Sequence, residues 1–129
     1  MSDYQFEKST AIREGSARTL RMGVEAGVMM ATGSDTQDAQ GDCSAVMEAV
    51  TFVVVGGMTP LQAIESATAN GPRSLGHLGL APLSGQLKVG YEADILGLIA
   101  SPLDDIYNLA DRENVAYVWK GGQLFKRAA

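Results

Sequence analysis

The pattern of the chain changes at Gly76, and that change constrains the fold more than any other feature. Upstream, apolar residues recur at helical spacing or in runs ended by glycine; downstream, short apolar runs alternate with turns. A helix-rich segment followed by a strand-rich one is an α/β arrangement, and it divides the chain into residues 1–78, helix-strand-helix in rhythm, and residues 79–129, made of strands.

In the upstream part, Phe6 to Gly23 carries charges at Glu7, Lys8, Arg13, Glu14, Arg18 and Arg21, with Ile12, Thr19 and Leu20 spaced to share a face. This predicts an amphipathic helix. Val28 to Thr32 is a short apolar run ended by Gly33-Ser34-Asp35 and reads as a buried strand entering a turn. Ser44 to Val55 is almost wholly apolar and stops at Gly56-Gly57. Its Val50–Val55 stretch has strand propensity, but Val46, Ala49, Val50 and Val53 fall on one helical face, so helix is the reading adopted. Thr59-Pro60-Leu61-Gln62 is a clearer signal: a capping threonine, a proline suited to the first helical position and a glutamine able to complete a capping box. A helix is expected from Pro60 to about Ala69, ended by Asn70-Gly71-Pro72, which opens a short helix through Leu75.

Downstream, strands are expected at Gln86–Val89, Ala93–Ile99, Val115–Lys120 and Gln123–Lys126, with Gly121-Gly122 as a two-residue hairpin turn. Ser101 to Ile106 reads as a capped turn leading into a brief helix near Leu109.

Composition narrows the function classes. The chain has 129 residues, 46% hydrophobic and 19% charged, which suits one globular unit and excludes disorder. A net charge of −5 repels a phosphate backbone, so no nucleic acid is expected as a partner. No run approaches the ~18 apolar residues that span a bilayer, so no membrane partner is expected and the chain reads as cytoplasmic. The single cysteine, Cys43, excludes an intrachain disulfide, and the single histidine, His77, leaves too few ligands for a self-contained zinc site.

Asp35 is the candidate for chemistry. It follows the expected strand at its carboxyl end, the edge where catalytic groups collect in α/β folds, although aspartate is also a common turn residue and helix cap. Gln37, Asp38 and Asp42 share its polar loop. His77, at a helix end, reads as structural, and Cys43, opening an apolar helix, as a small packing residue.

Taken in order, the segments are more specific than any one alone. Ala26-Gly27-Val28, Gly33-Ser34-Asp35, Gly57-Met58-Thr59-Pro60-Leu61-Gln62-Ala63-Ile64 and Ala67-Thr68-Ala69-Asn70 together resemble the C-terminal portion of metal-dependent amidohydrolases, in the imidazolonepropionase-like and Xaa-Pro dipeptidase-like branch. Gly85 to Ile95, Ser101 to Ile106 and Val118 to Gly122 resemble the strands that close such enzymes, and the likeness runs from about Ser16 to Lys126.

The resemblance implies a (β/α)8 TIM barrel, of which this chain holds the last strand and helices, plus strands of a small β-sandwich. It implies a divalent metal, usually zinc, and hydrolysis of an amide, peptide or cyclic amide C–N bond by metal-activated water. Asp35 matches the aspartate after the eighth strand, which in the family binds metal and passes a proton from the attacking water to the leaving group. Gln37, Asp38 and Asp42 would line the substrate pocket, and Asp94 matches a structural position in the sandwich. The other ligands, histidines from three earlier strands and often a carboxylated lysine, would lie upstream of Met1. Since a complete barrel takes about 250 residues, the expectation is part of an enzyme, inactive and metal-free alone, that pairs with the missing N-terminal half or self-associates as a homo-oligomer. The alternative expectation is a freestanding, non-catalytic oligomerisation or binding module derived from the same fold.

Overall fold

Thr59 begins a helix in the way its neighbours dictate. Its hydroxyl accepts from the backbone N–H of Gln62 at 3.3 Å, while the Gln62 side-chain oxygen accepts from the Thr59 N–H at 2.9 Å. Two donors at the open helix end are thereby satisfied reciprocally, with Pro60 in the first turn where its missing N–H costs nothing. This helix is the third of four in a computed structural model that describes residues 3–33, 44–76 and 82–128. The helices are α1 (Asp3–Glu25), α2 (Ser44–Val54), α3 (Pro60–Ala67) and α4 (Asn70–Leu75).

Three strands follow, β1 (Ile95–Leu98), β2 (Val115–Lys120) and β3 (Gln123–Arg127), forming an antiparallel sheet in the order β1-β2-β3. Register is set at the tight end. Gly121 and Gly122, both at positive φ, join β2 to β3, so that Lys120 faces Gln123 and Trp119 faces Leu124 before a bulge shifts the pairing to Val118 and Lys126. Tyr117 and Trp119 stack along one face of β2, ring centroids 5.2 Å apart, over the bare backbone of Gly97 in β1. Between β1 and β2, two 3₁₀ turns at Ile106–Leu109 and Arg112–Asn114 are each opened by an aspartate, Asp105 and Asp111, whose carboxylate accepts from the N–H two residues on. Buried Asn114 fastens this connection: its amide donates to the carbonyls of Ala100 and Asn108, and its oxygen accepts from the Ala100 N–H.

The core lies where α2, α3 and the Ile106 turn meet, built from Ala49, Val50, Met58, Ala63 and Ile106, with Val24, Met30, Phe52 and Leu109 packed around it. Small residues on α2 and α3 let the two helices approach, and the apolar run from Ser44 is helical to Val54, as its one-sided pattern indicated.

Two expected strands are absent. Val28 to Thr32 forms no strand, because among the described residues no other strand lies beside it to pair with; Val28 and Met29 remain exposed. Gln86 to Val89 is also not a strand. Leu83 closes it into a loop by accepting from the Glu92 N–H at 2.6 Å, Tyr91 bonds back to Lys88, and Leu87 and Val89 stand in solvent, so its apolar alternation has no face to bury.

Much apolar surface stays uncovered. Ile12, Val54, Leu61, Leu87, Val89, Ile99 and Phe125 are all more than half exposed. The chain presents 9306 Å² to solvent, against roughly 6,600 Å² for a compact monomer of its mass. No described helix is long and apolar enough to cross a membrane.

Candidate functional site

The candidate residues Asp35, Gln37, Asp38 and Asp42, together with Cys43 and His77, lie outside the described residues. What the structure does describe is the backbone that leads to Asp35, and that backbone is held at three successive points. The carbonyl of Met30 accepts from the side-chain amide of Asn70 on α4 at 2.9 Å. The N–H of Thr32 donates to the carbonyl of Ser66 on α3 at 3.2 Å. The N–H of Gly33 donates to the carboxylate of Glu48 on α2 at 2.6 Å. Segment 28–33 is therefore held without a sheet: three helices supply the partners that neighbouring strands would otherwise provide.

Each anchor is itself fixed by packing. Ser66 is buried, and its hydroxyl donates to the Gln62 carbonyl at 2.9 Å, leaving its own carbonyl to receive Thr32. Asn70 is buried at the start of α4, where its oxygen also meets Arg73. Glu48 is half-buried beside Ala49 and Val50, on a helix otherwise free of charge. The sequence reading missed Asn70 and Glu48 as contributors. The available signal was one carboxylate in an apolar helix, but no local pattern names a backbone partner fifteen residues away.

The second polar arrangement is in the sheet. Lys120 pairs with the Asp94 carboxylate, whose other oxygen accepts from the Gly121 N–H at 2.7 Å. The hydrogen bond from Lys120, then that from Gly121, holds the Asp94 carboxyl below its usual range, and the same contact raises Lys120. This pair clasps the hairpin turn, the structural use expected of Asp94.

Among the described residues, no group of three or more His, Cys, Asp or Glu side chains gathers to hold a metal ion. With one histidine and one cysteine, the whole sequence has too few nitrogen and sulfur donors for a self-contained zinc site.

Comparison with known proteins then decides the family. The profile of the amidohydrolase family matches residues 4–125. The chain belongs to the amidohydrolase family. This amidohydrolase chain is 45% identical over 119 residues to the curated ochratoxinase of Aspergillus niger, covering 92% of itself and 24% of that relative. The A. niger ochratoxinase crystal structure superposes with a TM-score of 0.85 at 42% identity, over 98% of this chain and 28% of that one. A putative prolidase from Bifidobacterium longum gives a TM-score of 0.80 at 33% identity, over 98% and 30%. A Xaa-Pro dipeptidase with bound methionine gives 0.68 at 30% identity, over 85% and 25%. The amidohydrolase chain thus spans about a quarter of the length of the relatives it matches.

Proposed function

We propose that this chain is the C-terminal part of a metal-dependent amidohydrolase that hydrolyses an amide, peptide or cyclic amide C–N bond, and that it needs the remainder of the enzyme to act. The observation that carries the reading is the superposition of nearly the whole chain on little more than a quarter of ochratoxinase. The uncovered apolar surface supports it: α1, α2 and the loop at 87–89 present large side chains that a folded remainder of the enzyme would bury. On this reading, residues 1–78 are the last strand and helices of a (β/α)8 barrel and residues 79–129 are strands of the β-sandwich. The run at 28–33 then takes the place of the eighth barrel strand, held from within the chain by α2, α3 and α4.

Asp35 supplies one ligand to a divalent metal, zinc by family likeness, and accepts the proton of the attacking water before delivering it to the leaving nitrogen. When bound, the metal activates that water and polarises the scissile carbonyl. Gln37, Asp38 and Asp42, close to it in sequence, contribute to the substrate pocket.

The test is reconstitution. The chain is mixed with the separately produced N-terminal remainder and assayed for metal-dependent hydrolysis of dipeptides and N-acyl amino acids. Recovered hydrolysis that disappears in Asp35→Ala is the expected result. Full activity in that variant refutes the assignment of Asp35. Failure to pair, with the chain instead forming a stable homo-oligomer without activity, overturns the enzymatic reading in favour of a binding module.

A further inference from the structure

We propose that Asn70-Gly71 is a deamidation site kept closed by α4, and that its conversion to aspartate or isoaspartate cuts the tie between α4 and the run at 28–33. Asn70 is the only asparagine of the sequence that glycine follows. That pairing is the reactive one, because the Gly71 backbone nitrogen can attack the Asn70 side-chain carbon, Cγ, with no Cβ on glycine to hinder the approach. A bond forms between that nitrogen and Cγ, the bond from Cγ to Nδ2 breaks, and Nδ2 leaves as ammonia with the proton of the Gly71 N–H. Water then adds to either carbonyl of the cyclic imide and opens it, giving aspartate or, with the main chain rerouted through Cβ, isoaspartate.

The fold opposes the first step twice. Asn70 is the first residue of α4, and helical backbone, with ψ about −42°, does not present the Gly71 nitrogen to Cγ. The side chain is also held: Asn70 is buried, its Nδ2 donates to the Met30 carbonyl at 2.9 Å, and its Oδ1 accepts from Nη1 of Arg73 at 3.5 Å. The nitrogen that would leave as ammonia is therefore the nitrogen that holds Met30.

This protection is local and reversible, because α4 is a weak helix. It has six residues, too few to stand alone, with Gly71 in its first turn and no side chain capping it. Its ion pair, Arg73 with Glu65 at 3.6 Å, joins two exposed side chains and contributes little. Such an element opens without global unfolding, and each opening frees Asn70 and Gly71 to cyclise. The product does not restore the closed state. An aspartate oxygen would face the Met30 carbonyl oxygen with no proton to donate, and its charge is drawn to the Arg73 guanidinium that already meets Asn70. Conversion thus removes one of three ties on the run at 28–33, leaving Thr32 on Ser66 and Gly33 on Glu48.

The experiment incubates the whole chain at mildly alkaline pH, folded and in urea, and follows the mass gain and isoaspartate content of the peptide spanning Asn70 by mass spectrometry. Asn70 should convert in urea and at least about tenfold more slowly in the folded chain, a ratio equivalent to an opening free energy of about 1.4 kcal/mol. Equal rates overturn the gate, and no conversion in urea overturns the site. Gly71→Ala tests the cyclic route: nothing lies within 4 Å of a Cβ there, so the variant folds, and its methyl should suppress conversion in urea. Conversion as fast as in the unmodified sequence overturns that route. The consequence is read by amide hydrogen exchange in Asn70→Asp, where the Thr32 amide should exchange about tenfold faster, and unchanged exchange overturns the loss of the tie. Should Asn70→Asp lose helical signal in circular dichroism, Asn70→Ala decides, because it removes the donor without adding charge: a folded Ala variant with unchanged Thr32 exchange overturns the inference.

Discussion

Gly85, in the strand-bearing half of the chain, lies against the end of α3 in the helical half, and its replacement tests the fold at that contact. Its φ is +76°, and a Cβ built there would lie 2.3 Å from the carbonyl oxygen and 2.7 Å from the carbonyl carbon of Thr68, at the end of α3. Gly85→Ala therefore meets two separable penalties. A side chain in the left-handed region costs about 1–2 kcal/mol, and forcing the loop off a backbone carbonyl that cannot rotate away costs roughly the 1–3 kcal/mol typical of overpacking. Gly90→Ala isolates the first of these, because its φ is +87° and nothing stands within 4 Å of the added Cβ. Both substitutions stiffen the unfolded chain equally, a gain of about 0.4–1 kcal/mol that cancels in the comparison. The expected result is that Gly85→Ala destabilises by about 1–3 kcal/mol more than Gly90→Ala. Urea unfolding measures it, followed by circular dichroism for the helices and by fluorescence of Trp119, the single tryptophan, for the sheet. Equal midpoints and slopes for the two variants would refute the reasoning, since the Thr68 carbonyl would then not be in the way.

Three further outcomes are expected from the same structure. Thr59→Ala removes the reciprocal cap of α3 and should lower stability by about 1 kcal/mol, whereas Thr59→Ser should be nearly silent in thermal unfolding. Asn114→Ala should cost about 1–3 kcal/mol, and Asn114→Asp more, because it sets a carboxylate oxygen against the carbonyls of Ala100 and Asn108; a more stable Asp variant would contradict this geometry. The Asp94–Lys120 clasp has a defined pH window. The Asp94 carboxyl is depressed in the folded chain, so its contribution is present above the usual value of 3.8 and lost as pH falls through the lower folded value. Lys120 is raised, so its contribution is present below 10.5 and lost as pH rises through the higher folded value. The Gly121 amide shift should therefore be flat between these limits and move outside them, and Asp94→Asn should remove the acid-side change.

Elements whose partners are local were legible in the sequence. The cap of α3 needs only residues 59–62, the hairpin turn only Gly121 and Gly122, and α2 only the one-sided spacing of Val46, Ala49, Val50 and Val53; all three stand as expected. The β propensity of Val50–Val55 was overridden by burial of one helical face, as the glycine stop suggested. Strand formation at 28–32 and 86–89 was not legible, because a strand is a relation between segments and alternation does not say whether a partner is present. The same reason hides Glu48 and Asn70, whose bonds span fifteen and forty positions. Asp35 was singled out by its place after an apolar run and by its family motif, Gln37, Asp38 and Asp42 by their nearness to it in sequence, and all four lie outside the described residues.

The sheet is asymmetric at its two borders. β3 carries Lys126 and Arg127, charges of the kind that discourage pairing at an edge strand, whereas β1, Ile95-Leu96-Gly97-Leu98, bears none. Among the described strands, one added at β3 would meet charge and one added at β1 would meet none.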